Sequence, residues 1–218
     1  MKLSVAIITL NDGHNLYNAL ISCDFADEIV IIDGGSSDAT KLMVAKADQL
    51  MPDKIKFYSN PWPNHFGEQR NVSFGLCTGD WIMRVDSDEV CGTQLRGAIK
   101  PCLEELPGEC LSVRIRQNNL VQDIYHYAAN LGGWETHPRI FRNTGNLNWV
   151  GQVHEWVEGV GHMCTDWNVC VIHAGWLDKE KLRKKEDNYR KIPGSGFEVE
   201  GSLTDRHYEI RKLPEGIF

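Results

Sequence analysis

The chain opens with two short apolar runs, each cut off by a polar, turn-forming cluster. Residues 3–10 are rich in β-branched side chains and stop at Asn11-Asp12-Gly13, which predicts a first strand. Leu16, Ala19, Leu20 and Cys23 then recur at helical spacing, so a helix follows. A second run, Glu28-Ile29-Val30-Ile31-Ile32, ends in Asp33-Gly34-Gly35-Ser36-Ser37-Asp38. Asp38 is placed to cap a second helix carrying Leu42, Met43 and Ala47 on one face. Strand, helix, strand, helix is the rhythm of a parallel sheet covered by helices.

The rhythm continues with a strand at 55–58, a helix near 66–77 stopped by Gly79, and the apolar strand Trp81-Ile82-Met83-Arg84-Val85. The pattern changes after about residue 108. Leu111, Val113 and Ile115 alternate with Ser112, Arg114 and Arg116, the period of two expected of a half-exposed strand. Short strands are expected around 138–142, 149–157 and 167–172, then a charged helix at 178–191, with little periodicity over 192–218. The fold class is therefore α/β. A Rossmann-like, mostly parallel central sheet with flanking helices (1–108) is joined to a smaller mixed half (109–177) in one domain, and 178–218 form a charged helix and tail.

Composition narrows the chemistry. A length of 218 residues suits one domain with a short appendage. A formal charge of −7 excludes the basic footprint of a nucleic-acid binder. It leaves a nucleotide ligand open, because a bound metal neutralises phosphate locally. The first apolar run is too short to span a bilayer and lacks a signal-peptide cleavage pattern. Seven scattered cysteines with no Cys-x-x-Cys read as reduced thiols serving as small hydrophobes, which suits a cytoplasmic chain.

The strongest chemical signal is Val85-Asp86-Ser87-Asp88-Glu89 at the end of an apolar strand. In extended chain, residues two apart point the same way, so Asp86 and Asp88 can face one site. Paired carboxylates are hard oxygen ligands suited to Mn²⁺ or Mg²⁺ bridging a diphosphate. Acidic turns are common, so an Asp-x-Asp alone is weak. Open α/β sheets bind ligands at the carboxyl ends of their strands, where Thr9-Leu10-Asn11 and Asp33-Gly34-Gly35 also fall.

Three segments in order, SVAIITLND, ADEIVIIDGGSSDAT and GEQRNVSFGLCTGDWIMRVDSDE, resemble the first strand, nucleotide loop and metal strand of glycosyltransferase family 2. That family is the large inverting GT-A group, and the resemblance runs over about residues 3–176. It implies a GT-A fold, with a nucleotide-binding part over 1–108 and an acceptor and metal part over 109–177. It also implies a nucleotide-diphosphate sugar donor, UDP-linked by family habit, contacted by Thr9, Asn11, Asp33, Gly35, Arg70, Asp86 and Ser87. The matching acid of the family places Asp33 on a uracil N3–H or a ribose hydroxyl. The metal would be held by Asp88 and His173, with Asp86 on ribose or a metal-bound water, and the imidazole favours Mn²⁺ over Mg²⁺. The bland alternatives are a capping turn for Asp33, a surface arginine for Arg70 and a structural role for His173.

HPRIFRNTGNLNWVGQVHEWV resembles a stretch of a bacterial subgroup often found in polysaccharide or lipopolysaccharide enzymes. Glu155 falls where the family carries its base carboxylate, with His154 as rival and a structural salt bridge as the plain alternative. Asp88 and Glu155 are thus the expected catalytic pair. Trp134, Trp149 and Trp176 are open to sugar stacking or to burial in a core. The acceptor would be a hydroxyl on a glycan, a lipid-linked saccharide or a protein, and no nucleic acid is implicated. The helix at 178–191 reads by default as a solvated face, and alternatively as a peripheral contact with an anionic membrane surface. Two rivals stay open: a sugar nucleotidyltransferase, whose Gly-rich loop after the first strand is missing here, and a nucleotide-sugar binding module without turnover.

Overall fold

The computed structural model describes residues 1–120, 126–128, 136–160, 163–175 and scattered positions between 177 and 212. Its first half runs β1 (Leu3–Thr9), α1 (Gly13–Ser22), β2 (Glu28–Asp33), α2 (Thr40–Leu50), β3 (Ile55–Ser59), α3 (Phe66–Gly75), β4 (Trp81–Arg84), β5 (Glu89–Cys91) and α4 (Thr93–Glu105). The second half is β6 (Ser112–Asn119), β7 (His126–Ala128), β8 (Thr136–Arg142), β9 (Asn148–Val150), β10 (Trp156–Glu158), β11 (Met163–His173) and β12 (Ile210–Lys212).

Eight strands share one sheet in the order β3-β2-β1-β4-β8-β6-β11-β5. The first four are parallel, β8 runs antiparallel to both β4 and β6, β6 and β11 are parallel, and β5 closes the edge antiparallel to β11. This is the α/β, mostly parallel architecture that the sequence predicts. The sheet passes without a break through the change of pattern near residue 108, because β4 pairs with β8, and β5 crosses from the first half to pair beyond β11.

β1 is buried on both faces, as a central parallel strand must be. Val5 and Ile7 pack into one cluster with Leu16 and Leu20 of α1, Val44 and Ala47 of α2, and Leu95, Ile99 and Leu103 of α4. Ala6 and Ile8 face a second cluster with Phe74 of α3, Phe141 and Trp149. Cys23 and Cys91 meet in the first cluster with sulfurs 3.9 Å apart. At the amino end of the sheet, Glu28 accepts from Lys56 Nζ and Ser4 Oγ at 2.5 Å each, from the Thr78 hydroxyl at 2.9 Å and from Lys2 Nζ at 3.2 Å.

Asp38 precedes Ala39, the residue at the α2 cap position, and accepts instead from Thr40 and from Gly13 N, which ties α2 to the start of α1. The inner face of α2 is Thr40, Val44 and Ala47, whereas Leu42 is exposed, because only positions three and four apart share a face. The single strand expected at 149–157 is a hairpin of β9 and β10, broken by positive φ at Gly151 and His154. α4 and β5 have no counterpart in the sequence reading. The described residues between 179 and 187 are helical and exposed. Among the described residues no helix is long and apolar enough to cross a membrane.

Candidate active site

The carboxyl ends of β1, β2 and β4 converge, and the loops that follow them build the site. Thr9 pairs with Asp33 in register, and Gly34 N donates to Thr9 O at 2.8 Å. The Asp33 carboxylate accepts from Ser36 N at 3.1 and 3.2 Å and from Ser36 Oγ at 2.5 Å, closing its own turn. Gly35 sits at φ +101°, a conformation that glycine adopts without strain. Asn11 fastens this loop to the first one, accepting from Ser37 N at 2.8 Å while its own N–H donates to Ser36 Oγ at 2.8 Å. A side chain at Gly34 would press on Trp62, whose Cβ lies 3.2 Å from an added Cβ. Trp62 lies in the segment between β3 and α3, where the sequence carries no periodic pattern. Thr9, Asn11, Asp33 and Gly35 are therefore brought together, with Thr9 Oγ1 buried and without a hydrogen-bond partner.

Beyond β4 the chain makes the acidic turn. Ser87 Oγ donates to Asp12 Oδ2 at 2.7 Å, which anchors the turn to the start of α1. Asp86 turns towards arginines. Arg70, projecting from α3, donates through Nη2 to Asp86 at 2.8 Å and through Nε to Glu155 at 2.6 Å. Arg84 lies 3.6 Å from Asp86 and 3.9 Å from Glu155, and Arg139 lies 3.9 Å from Asp86. Arg70 is buried, so it is an internal bridge between two acids and not the exposed arm that sequence reading allowed for.

The electrostatics follow from this sharing. Burial alone would raise the Asp86 carboxyl, but Arg70, Arg84 and Arg139 hold it well below the ordinary carboxylate value. Glu155 is likewise lowered, burial being outweighed by Arg70 and Arg84. Burial, and then the neighbouring Arg139, pulls the Arg84 guanidinium down to about 10. Trp149 lies buried beneath Arg70 and Arg84, whose guanidinium carbons stand 5.3 and 5.6 Å from its ring centroid. It belongs to the core with Phe74 and Phe141 and is not a sugar platform. Trp134 and Trp176 lie outside the described residues.

Asp88 joins a different partner. Its Oδ2 lies 3.3 Å from Nε2 of His173, the last residue of β11, and Ala174 N donates to Asp88 O at 2.9 Å. The space above the pair is kept open by Gly175, where an added Cβ would fall 2.4 Å from Asp88 Oδ2 and 2.7 Å from His173 Nε2. A carboxylate oxygen and an imidazole nitrogen converging on a side-chain-free position fit a divalent cation. No cluster of three or more such groups occurs among the described residues.

A sheet of this order, with a glycine-containing turn after β2 and an acidic turn after β4, is the architecture of the GT-A class of glycosyltransferases. The family model for glycosyl transferase family 2 matches residues 4–157, and the chain belongs to that family. The lipopolysaccharide core biosynthesis glycosyltransferase LpsC of Rhizobium meliloti is 26% identical over 215 residues, 98% of this chain and 78% of that protein. The TPR repeat-containing protein Synpcc7942_0270 of Synechococcus elongatus is 24% identical over 158 residues, 72% of this chain and 36% of the relative. Among solved structures, TarS of S. aureus in complex with UDP superposes with a TM-score of 0.56 at 16% identity, covering 88% of this chain and 67% of TarS. Its complex with UDP-GlcNAc gives 0.55 at 14% identity, covering 88% of this chain and 68% of TarS.

Proposed function

We propose that this chain transfers a sugar from a nucleotide-diphosphate donor, a UDP-sugar, to an acceptor hydroxyl with inversion at the anomeric carbon. The observation that carries this is the Asp88–His173 pair, 3.3 Å apart over Gly175 and one turn from the Asp86–Arg70–Glu155 bridge. The donor class is supported by the fold shared with TarS, which is described in complex with UDP and UDP-GlcNAc. A saccharide acceptor is supported by the rhizobial relative, a lipopolysaccharide core enzyme by name.

Asp88 and His173 would hold the cation, Mn²⁺ before Mg²⁺ because one ligand is an imidazole. When bound, a divalent cation supplies charge neutralisation to the departing nucleoside diphosphate. Thr9, Asn11, Gly35 and the Asp33 turn cradle the nucleotide, with Ser87 and Asp86 at the sugar side. Glu155 is the base. Arg70 occupies its Oε1, which aims the carboxylate and keeps it ionised. The acceptor oxygen bonds to the anomeric carbon as the bond from that carbon to the diphosphate oxygen breaks, and the acceptor proton passes to Glu155.

The test is a calorimetric titration of UDP into the protein with Mn²⁺ and with excess chelator. Binding is expected in Mn²⁺ and at least tenfold weaker in chelator. Equal affinity in the two conditions removes the metal from the mechanism, and UDP released from a UDP-sugar only when a saccharide acceptor is present separates transfer from mere binding.

A further inference from the structure

His173 Nδ1 lies 2.6 Å from Asn119 Oδ1 across the β6–β11 pairing, where the two residues stand in register. Asn119 Oδ1 also accepts from Gln117 Nε2 at 2.7 Å. Gln117 Oε1 in turn accepts from Nη2 of Arg139, and Arg139 is fixed by a two-pronged pair to Glu89 at 2.6 and 2.7 Å. Arg139 and Glu89 are fully buried and Asn119 nearly so. Arg139 reaches this position because the β6–β8 register slips there, Val113 facing Ile140 while Arg114 faces Pro138. Such a bulge re-aims a side chain.

The direction of every bond in this chain follows from one fact: a guanidinium can only donate. The Gln117 atom facing Arg139 must be its oxygen, so its NH₂ faces Asn119. The Asn119 atom between Gln117 and His173 must then be an acceptor. His173 Nδ1 must carry a hydrogen and donate it. In the neutral ring, Nε2 is left as a bare acceptor, 3.3 Å from another acceptor, Asp88 Oδ2. Two acceptors at that distance repel unless a proton or a metal cation stands between them.

We propose that Arg139, Gln117 and Asn119 are positioning residues that lock His173 in the tautomer with hydrogen on Nδ1, presenting the Nε2 lone pair to a divalent cation. The tautomer itself depends only on the protein. Its use rests on the metal role assigned above to Asp88 and His173. A second effect comes with the same pair, because Glu89 Oε2 also accepts from Asp86 N at 2.9 Å, so one buried arginine steadies both the imidazole and the acidic turn.

The experiment is ¹⁵N correlation spectroscopy of the imidazoles in the metal-free protein, at a pH where the ring is neutral, together with Mn²⁺ titration. His173 is expected to show a protonated Nδ1 and an unprotonated Nε2. Asn119→Asp keeps the acceptor and should keep that signature. Asn119→Leu removes it, and Gln117→Glu keeps the Arg139 contact while removing the donor that orients Asn119. Both should give mixed tautomers and weaken Mn²⁺ binding by ~10–100-fold, the usual penalty for losing a metal ligand's outer partner. Gln117→Glu carries the test if Asn119→Leu fails to fold. A hydrogen on Nε2 in the parent, or parental tautomer and Mn²⁺ affinity in both variants, overturns the proposal. The expected tautomer and its loss in both variants, in a protein that binds no Mn²⁺ at all, would uphold the lock and sink the metal role.

Discussion

The two ends of the same sheet handle buried charge in opposite ways. At the amino end, one carboxylate, Glu28, is surrounded by two lysines and the hydroxyls of Ser4 and Thr78, with Thr78 N adding a fifth donor. At the carboxyl end, Asp86 and Glu155 share Arg70, and Arg84 and Arg139 stand close by. Thr9 Oγ1, Arg84 Nε, Arg139 Nε and Trp149 Nε1 are buried there without a hydrogen-bond partner. The amino end stitches strands together around one acid, and the carboxyl end shares its acids among three arginines.

The largest expected effect breaks the carboxyl end. Glu155→Gln keeps the shape and one bond to Arg70 but removes the proton acceptor, so turnover at saturating donor should fall by ~10²–10⁴-fold with donor affinity nearly unchanged. His154→Ala should fall much less. If the ranking is reversed in a turnover assay of both variants, the base is not Glu155. A second substitution sharpens the contrast within the site. Arg70→Met leaves Asp86 and Glu155 without their shared partner, and denaturant unfolding should show a loss of about 3–5 kcal/mol, typical of a broken buried pair. A loss under 1 kcal/mol, on the order of an exposed ion pair, would make Arg70 a bystander.

The smallest effect belongs to the amino end. Glu28→Gln should reduce stability by ~1–3 kcal/mol through its mismatched donors while leaving turnover of the folded protein at the parental level. Burial works to raise the Glu28 carboxyl, but Lys56, Ser4 and Thr78 hold it far below its ordinary value of 4.5. The folded state thus binds this proton less tightly than the unfolded chain. Its contribution is present in full above the ordinary value and is lost as the pH falls towards the folded-state value. Stability curves of parent and variant should therefore converge in acid. Curves that stay parallel across the acid range would deny Glu28 this role.

Much of the molecule was legible because the first half obeys simple periods. β1, β2 and β4 are dominated by apolar residues, as strands covered on both faces are, and the turns after them contain the glycines and acids that mark the candidate site. α4 escaped because Gly97 and Pro101 interrupt its narrow stripe of Leu95, Ile99 and Leu103. β5 escaped because three residues carry no period at all. The partners of the candidate residues were hidden for a different reason. Arg70 meets Glu155 across 85 positions of sequence, and Arg139 reaches Glu89 and Gln117 only through a strand order that is not sequential and a register that slips. Spacing along a chain reveals faces of single elements and says little about which distant elements those faces meet.

The contact between Cys23 and Cys91 has a practical consequence. Hydrogen bonding to Cys23, with burial, pushes the Cys91 thiol up, and burial pushes Cys77 up to about 12. Alkylating reagents attack thiolates, so these sulfurs stay silent while the sheet is closed. Cys91 belongs to the edge strand that carries Glu89, the anchor of Arg139. Slow labelling at Cys91 would therefore act as a clock, timing how often this edge of the sheet peels away from the rest of the molecule.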